Sequence, residues 1–332
     1  MKNIRQIGLS DLLREVFLKR ILVILLIPVL LFFLPSGCRP FEADGRINVV
    51  CTIFPQYDWL CRILGDNHDR INPVLLVKNG TDMHSYQPAA ADIARISSCD
   101  MLIYTGGESE SWVKEVLRDK VNKNMIVIDL LEELGSRVKE ERGSDTETQT
   151  IDGAVPDEHI WLSLDNAVIL CRVIEEQLSL LDPENAEIYA DHLTAYTMKL
   201  SELDGEYRRA VDEAYLHTLV FADRFPFIYL TGEYNLDYYA AFPGCSAETE
   251  ASFETVVLLA GKIDELNLKV VLVTESSDEK LAQTIVKNTV KKNQQILRLD
   301  SMQSISLGDI AQGISYLQIM ENNLKVLKAA LS

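Results

Sequence analysis

The most constraining stretch of this 332-residue chain runs from Asp182 to Ala214. Tyr189, Leu193, Tyr196, Leu200, Leu203, Tyr207, Ala210 and Ala214 recur at alternating spacings of four and three, which is one apolar stripe along an α-helix. Asp182 is placed to cap that helix, and Pro183 falls at its first position, where a missing N–H costs nothing. At 1.5 Å per residue, the 32 residues from Pro183 to Ala214 would span about 48 Å, longer than a single small lobe is wide. A helix of that length has to join two bodies. A coiled coil would show the same stripe, but only four heptads flanked by sheet-forming sequence favour an intramolecular strut.

The flanking sequence supplies the two bodies. Before the strut, strand-like runs at Ile47–Ile53, Ile71–Val77, Met101–Tyr104 and Met125–Asp129 alternate with helical segments at Tyr57–Leu64, Ala89–Ile96 and Ser111–Val121. A further helix from Asp165, read as its N-cap, reaches Leu180. After the strut, strand-like runs at Thr218–Phe221, Leu236–Phe242, Lys269–Thr274 and Gln295–Leu299 are separated by helices at Pro226–Tyr234, Ser252–Leu266 and Asp278–Lys287. Ser276 and Glu279 have capping-box spacing for the last of these, and a final helix covers Ile310–Leu331. This rhythm predicts an α/β fold of two lobes, each a four-stranded mainly parallel sheet with helices on both faces, joined by one long rigid helix. The expected boundaries are 47–181, 182–215 and 216–332. The polar, acidic segment from Glu132 to Glu158 cannot bury a core and reads as a solvated surface loop.

The amino terminus carries Lys2, Arg5, Arg14, Lys19 and Arg20, then 14 apolar residues from Ile21 to Leu34, then Pro35-Ser36-Gly37-Cys38. That run is short for a bilayer span, which takes about 20 residues, and small residues before a cysteine suggest cleavage. The pattern resembles a bacterial lipoprotein signal over residues 1–37, with Cys38 as the lipid-bearing residue and 38–46 as a tether. An uncleaved anchor is the alternative. Either arrangement holds the bulk of the chain at the outer face of the cell membrane. Removal of residues 1–37 would take the formal charge from −18 to −21, which excludes nucleic acid as a partner. Five further cysteines show no CxxC pair or zinc-ribbon spacing and read as small buried apolar residues.

Two histidines stand in corresponding places. His84 lies in Asp82-Met83-His84-Ser85-Tyr86-Gln87-Pro88, between a strand-like run and a helix start, and His159 lies in Asp157-Glu158-His159-Ile160-Trp161-Leu162, again just before a helix. Ligands of open α/β sheets bind outside the carboxyl ends of the strands. In the second half the strand ends carry Asp223, Glu275 and Asp300. His192 reads as a residue of the strut's solvated face, and neither it nor His217 is assigned to a site.

Taken together, these pieces resemble the metal-binding solute receptors of zinc and manganese ABC transporters, the ZnuA-like family, over nearly all of the chain from Ile47 onward. The resemblance is carried by Phe54-Pro55 with Tyr57-Asp58, His84-Ser85-Tyr86 with Pro88, His159-Ile160-Trp161-Leu162 with Asn166-Ala167, and Asp182-Pro183-Glu184-Asn185-Ala186. Glu248 and Glu250, then Glu275, then Asp300-Ser301 complete it. It implies that a metal is held between the lobes, with His84 and His159 as the first two ligands and Asp300 as the last. Ala222 falls in the family's third-ligand slot, and alanine cannot bind a metal. Asp223 beside it is then the candidate, against a plain salt bridge to Arg224; Glu248 is a weaker candidate, and both Glu248 and Glu275 are expected to support the ligands from behind.

Two imidazoles with one or two carboxylates suit zinc, and an oxygen-rich set also admits manganese. The implied function is capture of Zn2+, with Mn2+ as the alternative, by an extracytoplasmic monomeric receptor that hands the ion to an ABC permease, with no enzymatic activity. A metal-dependent hydrolase is a rival reading, but the chain has no His-Glu-x-x-His and no nucleophile with a base beside it. A surface adhesin on the same fold is a third.

Overall fold

The computed structural model describes residues 45–66, 69–78, 80–140, 155–242, 244 and 251–332. Cys38, the signal-like segment and Glu248 lie outside them, as does much of the acidic loop.

The expected two-lobe α/β arrangement is observed. The first lobe comprises β1 (Ile47–Cys51), α1 (Phe54–Leu64), β2 (Ile71–Leu75), α2 (Ala90–Ser98), β3 (Met101–Tyr104), α3 (Trp112–Arg118), β4 (Ile126–Asp129), α4 (Leu130–Leu134) and α5 (Leu164–Leu181). Its sheet runs β2-β1-β3-β4 with every pair parallel. Burial explains the order: Val49, Val50 and Cys51 of β1 and all of β3 are inaccessible, as central parallel strands require. Pro73, which has no N–H to give the ladder, sits in the edge strand β2. Because the chain steps from β1 outward to β2 and then back to β3, a crevice opens between the carboxyl ends of β1 and β3. Gln56 braces it: Oε1 accepts from Thr52 N at 2.9 Å and Ile53 N at 3.3 Å, and Nε2 donates to Thr105 Oγ1 at 3.0 Å.

The strut is α6 (Ala186–Asp212), entered through a short 3-10 turn at Pro183–Asn185. Its 27 residues make it about 40 Å long, somewhat shorter than the sequence pattern suggests, because Pro183 opens a tighter turn. Tyr189, Tyr196, Leu200, Leu203, Tyr207 and Val211 form the buried stripe, and the helix packs along α5 and α1 within the same chain. Asp182 holds the entry from inside. Its Oδ2 accepts from Tyr189 Oη and Asn185 Nδ2, both at 2.7 Å, and Arg70 Nε lies 3.1 Å from Oδ1. His192 is half-buried, with Nδ1 3.0 Å from Ile63 O, so it seals the end of α1 and does not simply face solvent.

The second lobe repeats the plan with β5 (Thr218–Phe221), α7 (Ile228–Glu233), β6 (Asp237–Ala240), α8 (Phe253–Glu265), β7 (Val270–Thr274), α9 (Lys280–Asn288) and β8 (Gln295–Leu299). The sheet order is β6-β5-β7-β8, again all parallel. The expected final helix is divided into α10 (Leu307–Ala311) and α11 (Tyr316–Ala330). Gly313 at φ +88° turns the chain between them, and the Ser315 side chain caps the second.

Two other helix starts differ from the sequence reading. Ser163, not Asp165, caps α5 by accepting from Asn166 N at 3.0 Å. No Ser276–Glu279 capping box forms, because Glu279 adopts φ +61° and sends its carboxylate to Arg298. The apolar core is continuous from the first lobe through the strut to α11, where Trp59 meets Tyr316 edge-on with ring centroids 5.2 Å apart. Among the described residues Cys51, Cys61, Cys99 and Cys171 are free thiols, three of them buried. No helix among the described residues is long and apolar enough to cross a membrane.

Candidate metal centre between the lobes

Both histidines sit on the same local device. Asp82 Oδ1 accepts from His84 N at 2.9 Å, and Asp157 Oδ1 accepts from His159 N at 2.9 Å. In each case an aspartate two residues upstream folds the backbone into a turn, a habit of short acidic side chains. A 3-10 turn then begins, at Met83–Ser85 and at Ile160–Leu162. The matched Asp-x-His spacing is the sequence signal for this pair of turns.

The turns bring the rings together. His84 Nε2 lies 3.2 Å from His159 Nε2, with ring centroids 5.2 Å apart and planes inclined by 48°. His159 is wholly buried, with Nδ1 2.9 Å from Asp157 Oδ1 and its ring edge-on to Trp161. His84 is partly open, with Nδ1 2.7 Å from Ser109 Oγ. Glu158 stands behind this pair. Its Oε1 accepts from Ser109 N at 2.9 Å, while Oε2 is buried with no hydrogen bond, 3.8 Å from His84 Nδ1. Gly107, at φ +81°, is obligatory there because a Cβ would run into the Glu158 carboxylate. The next residue but two, Glu110, is buried and accepts from Thr105 N at 2.6 Å and Gly106 N at 3.0 Å; burial pushes its carboxyl up to about 7.

The strand-end carboxylates of the second lobe are directed differently. Asp223 Oδ1 takes Arg224 N at 2.8 Å, and Oδ2 takes Thr274 N at 3.2 Å and Thr274 Oγ1 at 2.9 Å. Arg224 does not pair with the Asp223 side chain; its guanidinium points to Asp82 Oδ2 at 3.7 Å. Ala222 is buried against the second-lobe core. Glu275 braces the chain after β8, accepting from Ser301 N and Ser301 Oγ at 2.9 Å and Ser304 Oγ at 3.1 Å. Asp300 uses Oδ1 for Met302 N at 2.7 Å, and Oδ2 takes no hydrogen bond from a described residue. Burial, reinforced by the nearby Glu275 charge, pushes the Asp300 carboxyl up to about 7.

The structure therefore brings His84 and His159 together. Among the described residues, no third His, Cys, Asp or Glu offers a ligand atom within 4.8 Å of both Nε2 atoms. The loop after Asp300 nevertheless faces the His84 turn, since Met302, Gln303 and Ile305 line a small gap with Met83, Val77 and Trp161. Trp161 ties the two lobes at this point: Nε1 donates to Ser301 O at 2.9 Å, and its carbonyl accepts from Tyr316 Oη at 2.6 Å.

Three acidic groups do converge elsewhere, at Asp165, Asp204 and Glu233. Arg208 lies across them, 2.9 Å from Asp204 and 3.6 and 3.8 Å from Glu233 and Asp165, so the cation that this cluster holds is already part of the chain. Ser109, Glu110 and Trp161's role across the lobes were not legible in the sequence. Ser109 meets His84 across 25 residues, and no local pattern marks it.

Comparison with known proteins identifies the family. Residues 49–330 match the family model described as ZnuA, zinc-uptake complex component A, periplasmic. The chain is 29% identical over 309 residues to the zinc-binding lipoprotein AdcA of Streptococcus pneumoniae, covering 92% of this chain but only 60% of that protein. It is 27% identical over 313 residues to the high-affinity zinc uptake system protein ZnuA of Bacillus subtilis, covering 90% of this chain and 94% of the other. The Zn(II)-bound ZnuA-like domain of S. pneumoniae AdcA superimposes with a TM-score of 0.68 at 27% identity, covering 86% of this chain and 99% of that one. The metal-dependent lipoprotein YcdH of B. subtilis gives 0.70 at 25% identity over the same shares. The chain belongs to the ZnuA family of periplasmic zinc-uptake components.

Proposed function

We propose that this chain is a zinc receptor that captures the ion between His84 and His159 and delivers it to an ABC permease. The carrying observation is the 3.2 Å between the two Nε2 atoms. Two imidazoles bound to one tetrahedral zinc at 2.0–2.1 Å have their nitrogens about 3.3 Å apart. The rings thus stand nearly as a bound ion would hold them, so the histidine side is set for the ion, and a third ligand has to move in to join it.

Asp300 is the third ligand in this reading. Its Oδ2 is uncommitted among the described residues, and a cation would draw its raised carboxyl back to the ionised form. Asp223 is placed second, since three hydrogen bonds already engage its oxygens. Glu275 keeps the Asp300–Ser304 segment in place. Two nitrogens and one carboxylate favour zinc over manganese, which prefers an oxygen-rich set. The zinc-binding names of the relatives support the same ion, and anchorage through a lipid on Cys38 would place the receptor at the outer face of the membrane. Its own chemistry is capture and release without turnover.

Titration calorimetry with zinc and manganese, on protein purified without added metal, tests this reading. One equivalent of zinc is expected, tighter than manganese. Retention of that stoichiometry when His84 and His159 are both replaced by Ala would overturn the site.

A further inference from the structure

A second cavity, of about 280 Å3, lies where the two lobes and the strut meet, and neither His84 nor His159 lines it. The segment after α4 supplies Arg137 and Lys139, the start of α5 supplies Ser163, the strut supplies Arg208, and α7 supplies Tyr229 and Glu233. Its volume is close to that of the smallest pockets that take small molecules, about 300 Å3. Tyr229 fixes one wall from within the core: its Oη accepts from Lys139 N at 2.9 Å and donates to Asp157 O at 2.8 Å.

The charges in this lining are unequally engaged. Arg208 lies 2.9 Å from Asp204 and 3.6 Å from Glu233 Oε1. Neither the Arg137 nor the Lys139 side chain has an acidic partner among the described residues. The Lys139 ammonium lies against Gly232, in the space that a Cβ there would take, which sets it beside Glu233 on α7. The Glu233 side chain is only 7% exposed; Oε1 accepts from Asp165 N at 3.3 Å, while Oε2 is buried with no hydrogen bond. A buried carboxylate oxygen without a donor is costly, so stability alone does not account for it.

A small anion would pair with Arg137 and Lys139 but meet the Glu233 charge, and a metal cation would meet three basic groups. A molecule that carries both charges satisfies both walls. Because Lys139 and Glu233 stand side by side on α7, those charges have to be close together, as on an α-amino acid, where one carbon bears both. We propose that this cavity is a second binding site, which takes a free α-amino acid with its carboxylate at Arg137 and Lys139 and its ammonium at Glu233. Burial pushes the Glu233 carboxyl up to about 7, and an ammonium beside it would draw it back to the ionised form.

The test is titration calorimetry at about pH 7.5 on the full chain purified without added metal, with L-serine, L-glutamine and L-glutamate as probes. At least one of the three is expected to bind at one equivalent with a Kd below about 1 mM. Propionate and ethylamine, each with only one of the charged ends, should bind at least about 10-fold more weakly. Lys139→Met keeps the backbone N–H that Tyr229 accepts from, and Glu233→Gln keeps an oxygen for Asp165 N. Each is expected to weaken amino-acid binding by about 10-fold or more and to leave the zinc stoichiometry unchanged. Absence of saturable binding for all three amino acids, equally tight propionate, or full affinity in Lys139→Met overturns the inference. Zinc is not present in these titrations, so the zinc reading stands or falls separately.

Discussion

The carboxyl ends of the two sheets are built from similar residue types and put to opposite uses. In the first lobe the side chains are aimed outward. Asp157, Ser109 and Glu158 occupy the rear of the two imidazoles, so both Nε2 atoms face one another across 3.2 Å. In the second lobe Asp223 is engaged by Thr274 of the neighbouring strand and Glu275 by Ser301 of the loop after β8, and of these three carboxylates only Asp300 keeps an oxygen for something else among the described residues. Similar groups in similar places thus form the proposed site on one side and a wall on the other. What separates them is where their lone pairs are already engaged.

Substitutions that remove the outward-facing groups should produce the largest effects. His84→Ala and His159→Ala are each expected to weaken zinc binding by more than about 100-fold in calorimetry, beyond the loss typical of a supporting residue. Equal tolerance of both changes would erase the contrast between the lobes. Asp157→Asn should follow with a loss of about 10–100-fold, because an amide at that position can present a donor to Nδ1 and disfavour the tautomer that frees Nε2.

Asp223→Ala probes the wall. It strands the Thr274 amide and hydroxyl and the Arg224 amide, at a cost of about 1–3 kcal/mol in chemical denaturation, while zinc affinity should change less than about 3-fold. A large loss of affinity with intact stability would make Asp223 a ligand and the second lobe an equal partner.

The smallest effect concerns Glu110, inside the first lobe but behind the histidine pair. Its carboxyl is pushed up to about 7 by burial, from an ordinary value near 4.5. The folded state therefore holds a proton that the unfolded state has released, and stability falls as pH rises from about 4.5 to about 7, then levels off. Glu233 and Asp300, also raised to about 7 chiefly by burial, act in the same direction. Glu110→Gln should remove part of that decline, on the order of 1–2 kcal/mol in denaturation midpoints compared at pH 5 and pH 8. An unchanged pH profile would show that Glu110 is ionised in the fold.

The sheets were readable because buried parallel strands are short continuous apolar runs, as at Met101–Tyr104 and Val270–Thr274. Helix ends were less so. Ser163 and Asp165 are both good caps, and only the backbone angle at Ser163 decides between them. His84 and His159 stood out through their loops and the family resemblance. Ser109 and Glu158 reach His84 only through tertiary folding, and the orientation of Asp223 is set by Thr274 on a neighbouring strand. Residue type can reveal a possible donor, but the strand alongside determines whether it is still available.

Trp161 gives the junction between lobes a mechanical meaning. The turn that carries His159 is covalently part of the first lobe, yet Ser301 and Tyr316 fasten it to the second. His84 rides on a separate turn, held by Asp82. An outward pull on the second lobe would therefore strain the two turns unequally, since the His84 turn meets that lobe through the longer Asp82–Arg224 contact at 3.7 Å. A grip of this kind lets go by being unzipped, one bond after the other, so a partner that pries the lobes apart would not need to compete for the ion itself.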